Sequence, residues 1–152
     1  MKSINLFILS LIVSGSFILS CESSKSSQKS SENMIEKISM EKITMGSNAI
    51  LEITKDQNSF TERQRDGSSK ETKGEISTKS WNEINRLVSK LDLTKMDQWE
   101  GPTQTRFYDG AKATTIIIES NGQTFNSQGF DEGRPPAELS ELYNYLESLV
   151  NQ

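Results

Sequence analysis

Lys112-Ala-Thr-Thr-Ile116-Ile-Ile-Glu-Ser120-Asn-Gly-Gln123-Thr-Phe-Asn-Ser-Gln128 is the stretch on which the fold turns. Asn121-Gly122 stands between two β-rich runs, and both residues tolerate the positive φ of a type I′ turn. That is the strongest short-range signal for a hairpin. Ile116-Ile117-Ile118 puts apolar side chains on both faces of its strand, which predicts the central strand of a sheet.

Working forward, Phe130-Asp131-Glu132-Gly133-Arg134 leads to Pro135-Pro136, a rigid start for a helix. Leu139, Leu142, Leu146, Leu149 and Val150 then form one apolar stripe. Working backward, Arg106-Phe107-Tyr108-Asp109-Gly110 closes with a turn dipeptide, and Glu100-Gly101-Pro102-Thr103 stops the segment before it. Leu93, Met96 and Trp99 lie in an irregular connection that caps the core. Upstream, Ser80-x-x-Glu83 reads as a capping box, in which each side chain satisfies an orphan backbone donor of the other residue. Trp81, Ile84, Leu87, Val88 and Leu91 follow at helical spacing, giving an amphipathic helix of about three turns.

The first part of the domain is strand-like. Ile38–Met45 is read as a short strand, Ala49–Thr54 as a better one, and Ser59–Arg65 as a polar strand burying only Phe60, at an edge or on a solvated face. Asp66–Gly74, charged and ending in glycines, reads as a mobile loop, and Glu75–Thr78 as a further short strand. The expected class is α+β. An antiparallel sheet of about 4–6 strands carries two amphipathic helices on one face, in two hairpin-plus-helix units.

The beginning of the chain supplies an address. Lys2 precedes an apolar run from Leu6 to Val13, then Phe17, Ile18 and Leu19 after Ser14-Gly15-Ser16. The run is too short and interrupted for a permanent span of about 20 apolar residues, and fits a signal peptide. Ile18-Leu19-Ser20-Cys21 resembles a bacterial lipobox. The resemblance implies cleavage after Ser20, acylation of Cys21 and a lasting membrane anchor, since two acyl chains hold where one does not. Residues 21–33 are then a lipidated tether. Glu22–Asn33 holds six serines and no apolar side chain, so it is expected to be disordered and to set the domain on the order of 20 Å from the bilayer. Residues 34–152 form one domain.

Composition narrows the chemistry. Without Lys2 the 17 basic residues become 16, against 21 acidic, and no basic stripe supports nucleic-acid binding. The chain has no histidine and one cysteine. That excludes Ser-His-Asp and Cys-His catalysis, histidine-ligated zinc and, with Cys21 acylated, disulfides and thiolate metal sites. No calcium loop or phosphate-binding glycine pattern occurs, so neither a metal nor a cofactor is expected. Ser26-x-x-Lys29 and Ser39-x-x-Lys42 match a Ser/Lys catalytic spacing without its companion motifs, and read as chance.

The residues worth weighing flank the central hairpin. Arg106, Tyr108 and Asp109 precede it; Asp131, Glu132 and Arg134 follow it. Residues entering and leaving an antiparallel hairpin lie at the same sheet end, so the two groups can meet in one polar site centred on Tyr108. The plainer alternative is a salt-bridged loop pair, with Arg106 or Arg134 on Asp109, Asp131 or Glu132, and with Phe107 and Phe130 closing the sheet end. On the second helix, Tyr143 is expected to complete a core edge and Tyr145 to be an exposed aromatic.

The Trp81 helix start, the run Arg106-Phe107-Tyr108-Asp109-Gly110-Ala111 and the run Phe130-Asp131-x-Gly133-x-Pro135-Pro136 resemble small lipoproteins of Bacteroidetes-type bacteria. The resemblance runs from Ala49 to Val150, most of the mature domain, and implies the outer membrane of a Gram-negative envelope. It carries no activity and no catalytic residues. The expectation is a non-enzymatic, lipid-anchored envelope domain that binds a protein or other envelope component. The rival is a small hydrolase or inhibitor-like domain using the cluster around Tyr108 and Asp131.

Overall fold

The computed structural model describes residues 35–108 and 110–150. The signal peptide, Cys21, the tether and Asp109 lie outside the described residues. Seven strands form one antiparallel sheet: β1 (Ile35–Ile43), β2 (Ser47–Thr54), β3 (Gln57–Gln64), β4 (Ser69–Glu75), β5 (Ala113–Ser120), β6 (Gln123–Asn126) and β7 (Phe130–Asp131). Helix α1 (Thr78–Val88) follows β4, and α2 (Ser140–Val150) ends the described chain. The order across the sheet is β4-β3-β2-β1-β5-β6, with β7 also on β5. The class is therefore the expected α+β, with seven strands rather than four to six.

One face of the sheet makes the core. Phe60, Leu51, Met40 and Ile116 stand opposite one another across β3, β2, β1 and β5, and Ile53, Ile38, Ile118 and Phe125 form the next row. Trp81, Ile84, Leu87 and Val88 of α1 and Leu142, Tyr143 and Leu146 of α2 join the same buried cluster. Each such aliphatic side chain contributes about 1.5–3 kcal/mol on burial. Ile117, half-buried, points to the opposite face, so the Ile116-Ile117-Ile118 triplet does straddle the sheet. Its strand lies one place from the edge, however, and the middle position belongs to β1. The Asn121-Gly122 turn forms as expected, with φ of 53° and 71°.

Two sequence readings fail in instructive ways. Asp66–Gly74 is not a loop: after a tight turn at Gly67 (φ 84°), residues 69–75 pair with β3 from Arg63↔Ser69 to Gln57↔Glu75. Every residue of β4 is exposed, so no apolar alternation marked it, and backbone pairing alone defines the strand. β3 is consequently an interior strand and not the edge. The capping box is also displaced. Ser77 is the cap, its Oγ accepting from the Ser80 N–H at 3.0 Å, and α1 begins at Thr78 where a strand was expected. Glu83 instead pairs with Arg86 at 2.6 Å.

The two sheet edges differ. Leu93–Gln98, a 3-10 segment burying Leu93 and Met96, packs beside β6, and the Gln128 side chain donates to the Asp97 carbonyl at 2.8 Å. No described element lies outside β4. On the core side of β3 and β4 the helices stop short. A groove of about 620 Å³ remains, lined by Leu51, Phe60, Thr72, Ile76, Leu149 and Val150 among others.

Candidate functional site

The expected polar cluster forms around one buried carboxylate, and around the wrong centre. Asp131 lies in β7, paired with Ala113 at the start of β5, and is 1% exposed. Oδ2 accepts from the hydroxyls of Thr103 and Thr105, both at 2.6 Å, and from the Thr105 N–H at 2.7 Å. Oδ1 accepts from the Arg106 N–H at 2.9 Å and from the Arg106 guanidinium at 3.3 Å. Burial alone would push this carboxyl up. The hydroxyls of Thr103 and Thr105 and the N–H groups of Arg106 and Thr105 outweigh burial and hold it well below the usual carboxylate range. A carboxylate so saturated organises the loop 103–108; it has no reach to a substrate.

The other expected members scatter. Arg106 joins Asp131, and its guanidinium also lies 4.4 Å over the Phe107 ring. Tyr108 points outward at 87% exposure and Phe107 at 66%, so Phe107 does not close the sheet end as expected. Phe130 does: it is fully buried, with the Tyr143 ring edge-on at 5.6 Å. Arg134 is exposed after a tight turn in which its N–H donates to the Asp131 carbonyl at 2.8 Å. Asp109 lies outside the described residues. Arg106 and Asp131 thus meet, and Tyr108 and Arg134 do not join them.

Glu132 belongs to a second cluster that the sequence reading missed. Lys42 is on the core face of β1, opposite Thr114, and its ammonium touches Glu132 at 3.0 Å and Glu147 of α2 at 2.6 Å. Lys112 reaches Glu132 at 3.4 Å from outside. Burial would raise the Glu132 carboxyl, but Lys42 and Lys112 bring it below its ordinary value. The Tyr143 hydroxyl accepts from the Gly133 N–H at 2.9 Å; burial and the adjacent Glu147 drive its pKa upward. Tyr143 therefore completes the core edge as expected, whereas Tyr145 is half-buried against the core and not a projecting aromatic. The signal for Lys42 was in the sequence: Ile38, Met40 and Lys42 alternate, so one face carries all three. Ser39 falls on the opposite face, which separates the Ser39-x-x-Lys42 pair.

The large hydrophobic side chains that stand open among the described residues are Ile43 (48%), Met45 (80%), Phe107 and Tyr108. Residues 43–46 and the segment around Arg106 and 110–113 line a shared shallow concavity of about 730 Å³. This is the sheet end at which β1 finishes and β5 begins, Ile43 standing opposite Ala113. Arg63 pairs with Asn48 at the same end and is followed by Arg65 and Asp66, while Lys112 and Glu132 line the concavity with Arg134 two residues on. The chain enters at the other end: Ile35 pairs with Ser120, and Glu36 accepts from the Gly122 N–H at 2.9 Å. Nine residues of β1 separate the two ends, roughly 25–30 Å.

No group of three or more His, Cys, Asp or Glu among the described residues is arranged to hold a metal ion. In comparisons with known proteins, the chain matches no protein-family model and no curated protein.

Proposed function

We propose that this is a lipid-anchored envelope protein, held through acylated Cys21, whose domain docks a protein partner by the apolar end of its sheet. The observation that carries the reading is the placement of Ile43, Met45, Phe107 and Tyr108. Ile43 and Met45 lie at the end remote from the point where the chain joins β1, beside Arg106 and Gly110 of the loop that carries Phe107 and Tyr108. Contiguous exposed apolar surface rimmed by polar residues marks an interaction surface, and aromatic anchors dominate binding energy at such surfaces. The surrounding Arg63, Arg65, Lys112 and Arg134, in a chain of net charge −4, favour a partner that offers an apolar pocket with an acidic rim. In this reading the Ser-rich sequence 22–33 links Cys21 to the domain, and the outer membrane of a Gram-negative cell is the compartment the lipobox and the family resemblance favour. The hydrolase alternative loses support because Asp131 is spent inside the loop.

Two experiments test the two halves. Cys21→Ser is expected to abolish incorporation of labelled fatty acid; continued labelling overturns the anchor. A photoreactive benzoylphenylalanine at position 108, in the intact protein in its own membrane, is expected to give a discrete protein adduct that Met45→Asp removes. Adducts to lipid alone, or a protein adduct indifferent to Met45→Asp, overturn the docking surface.

A further inference from the structure

We infer that this protein self-associates through β4, two copies pairing antiparallel about a two-fold axis at Thr72 and joining their sheets into one. An uncovered edge strand presents a row of unpaired backbone groups to another strand. Among the described residues β4 ends the sheet path and its extensive contacts are with β3, whereas the four-residue β6 at the other end also packs against Leu93–Gln98.

The sequence of β4 selects the occupant. Residues opposite each other across strands share a sheet face, so a two-fold that continues the sheet must fall on a residue and not between two. Thr72 is the midpoint of Ser69–Glu75, and an axis there pairs all seven residues. Glu71 then faces Lys73 of the second copy, Lys73 faces its Glu71, Thr72 faces Thr72, and Lys70 faces Gly74. Moving the axis to residue 71 or 73 sets Glu71 against Glu71 or Lys73 against Lys73, and like charges directly opposite are destabilising.

The charges have no other cross-strand use. Within the chain Lys70 faces Glu62, but Glu71 faces Thr61 and Lys73 faces Ser59, both uncharged. Glu71 and Lys73 pair only along their own strand, at 3.1 Å. In the dimer the four groups become a ring of alternating sign on the helix-free face. On the other face the two grooves beneath β3 and β4 merge into one trough floored by four strands.

A seven-residue strand pair is a small interface, and the inference rests on the lipid anchor proposed above, which would raise the effective concentration of the two copies. The antiparallel arrangement leaves both apolar ends open, pointing opposite ways along the strands, so self-association and partner docking are compatible and separately testable.

Thr72→Cys in the full-length protein, oxidised in native membranes, is expected to give a disulfide dimer, since facing residues on the axis lie within disulfide reach. Lys70→Cys places its two thiols on residues offset by four positions, about 13 Å apart, and is expected to stay monomeric. Lys73→Glu should lower the Thr72→Cys dimer yield about tenfold, and adding Glu71→Lys should restore it. Absence of a Thr72→Cys dimer, as when another segment of the same chain covers β4, overturns the proposal. So does equal crosslinking from position 70, or a charge swap that fails to restore.

Discussion

Asp131→Asn is expected to lower the Tm by on the order of 10 °C. The amide retains the shape but converts one acceptor oxygen into a donor. At Oδ2 that donor would face the hydroxyls of Thr103 and Thr105 and the Thr105 N–H; at Oδ1 it would face the Arg106 N–H. Either orientation leaves buried donors facing donors, which costs far more than the net value of the bonds lost. The pH dependence gives the signature. The folded carboxyl lies below its ordinary value. Its contribution is therefore fully present above the unfolded pKa, about 3.9, and is lost as pH falls through the folded value. The Tm gap between wild type and Asp131→Asn should stay constant from neutral pH to about pH 5 and close only in strong acid. A gap that closes between pH 5 and 7 would refute this assignment.

Lys42→Met should cost about 2–3 kcal/mol in a chemical denaturation measurement, the lower side of what breaking a buried pair costs because the partners are partly solvated. Methionine fills the stem volume but removes the cation that Glu132 and Glu147 share. Glu132 then keeps Lys112 at 3.4 Å, while the like charges of Glu132 and Glu147 lose the cation between them at a partly solvated site. Adding Glu147→Leu is expected to recover a substantial part of that loss, since a hydrophobic replacement of the whole pair is often neutral or better. A double-mutant cycle showing no coupling between the positions would mean that the ammonium is solvated and the cluster idle.

Much of the framework was legible because burial imposes a period. The hairpin at Asn121-Gly122, the Trp81–Val88 face and the Leu139–Leu146 stripe were each visible in spacing and turn chemistry. β4 was not, because a strand with both faces wet carries no alternation; its only record is backbone pairing, to which sequence patterns are blind. The Ser77 cap was hidden behind Ser80, a residue of the same type three positions on. At the site, the meeting of Arg106 with Asp131 followed from hairpin geometry. Which way each side chain turned did not, since the same residues serve equally for an open polar pocket and for a sealed loop. Thr103 and Thr105 decided between them, and isolated threonines in a loop give no warning. Asp131 was expected at a surface and proved to be the loop's internal anchor.

The position of β1 has a mechanical consequence. Any pull transmitted through the residues before Ile35 runs along the axis of the central strand, which is bonded antiparallel to β2 on one side and β5 on the other. Such a load shears both ladders at once instead of peeling one bond at a time. In the tethered arrangement proposed above, drag on the domain would load these two ladders in shear.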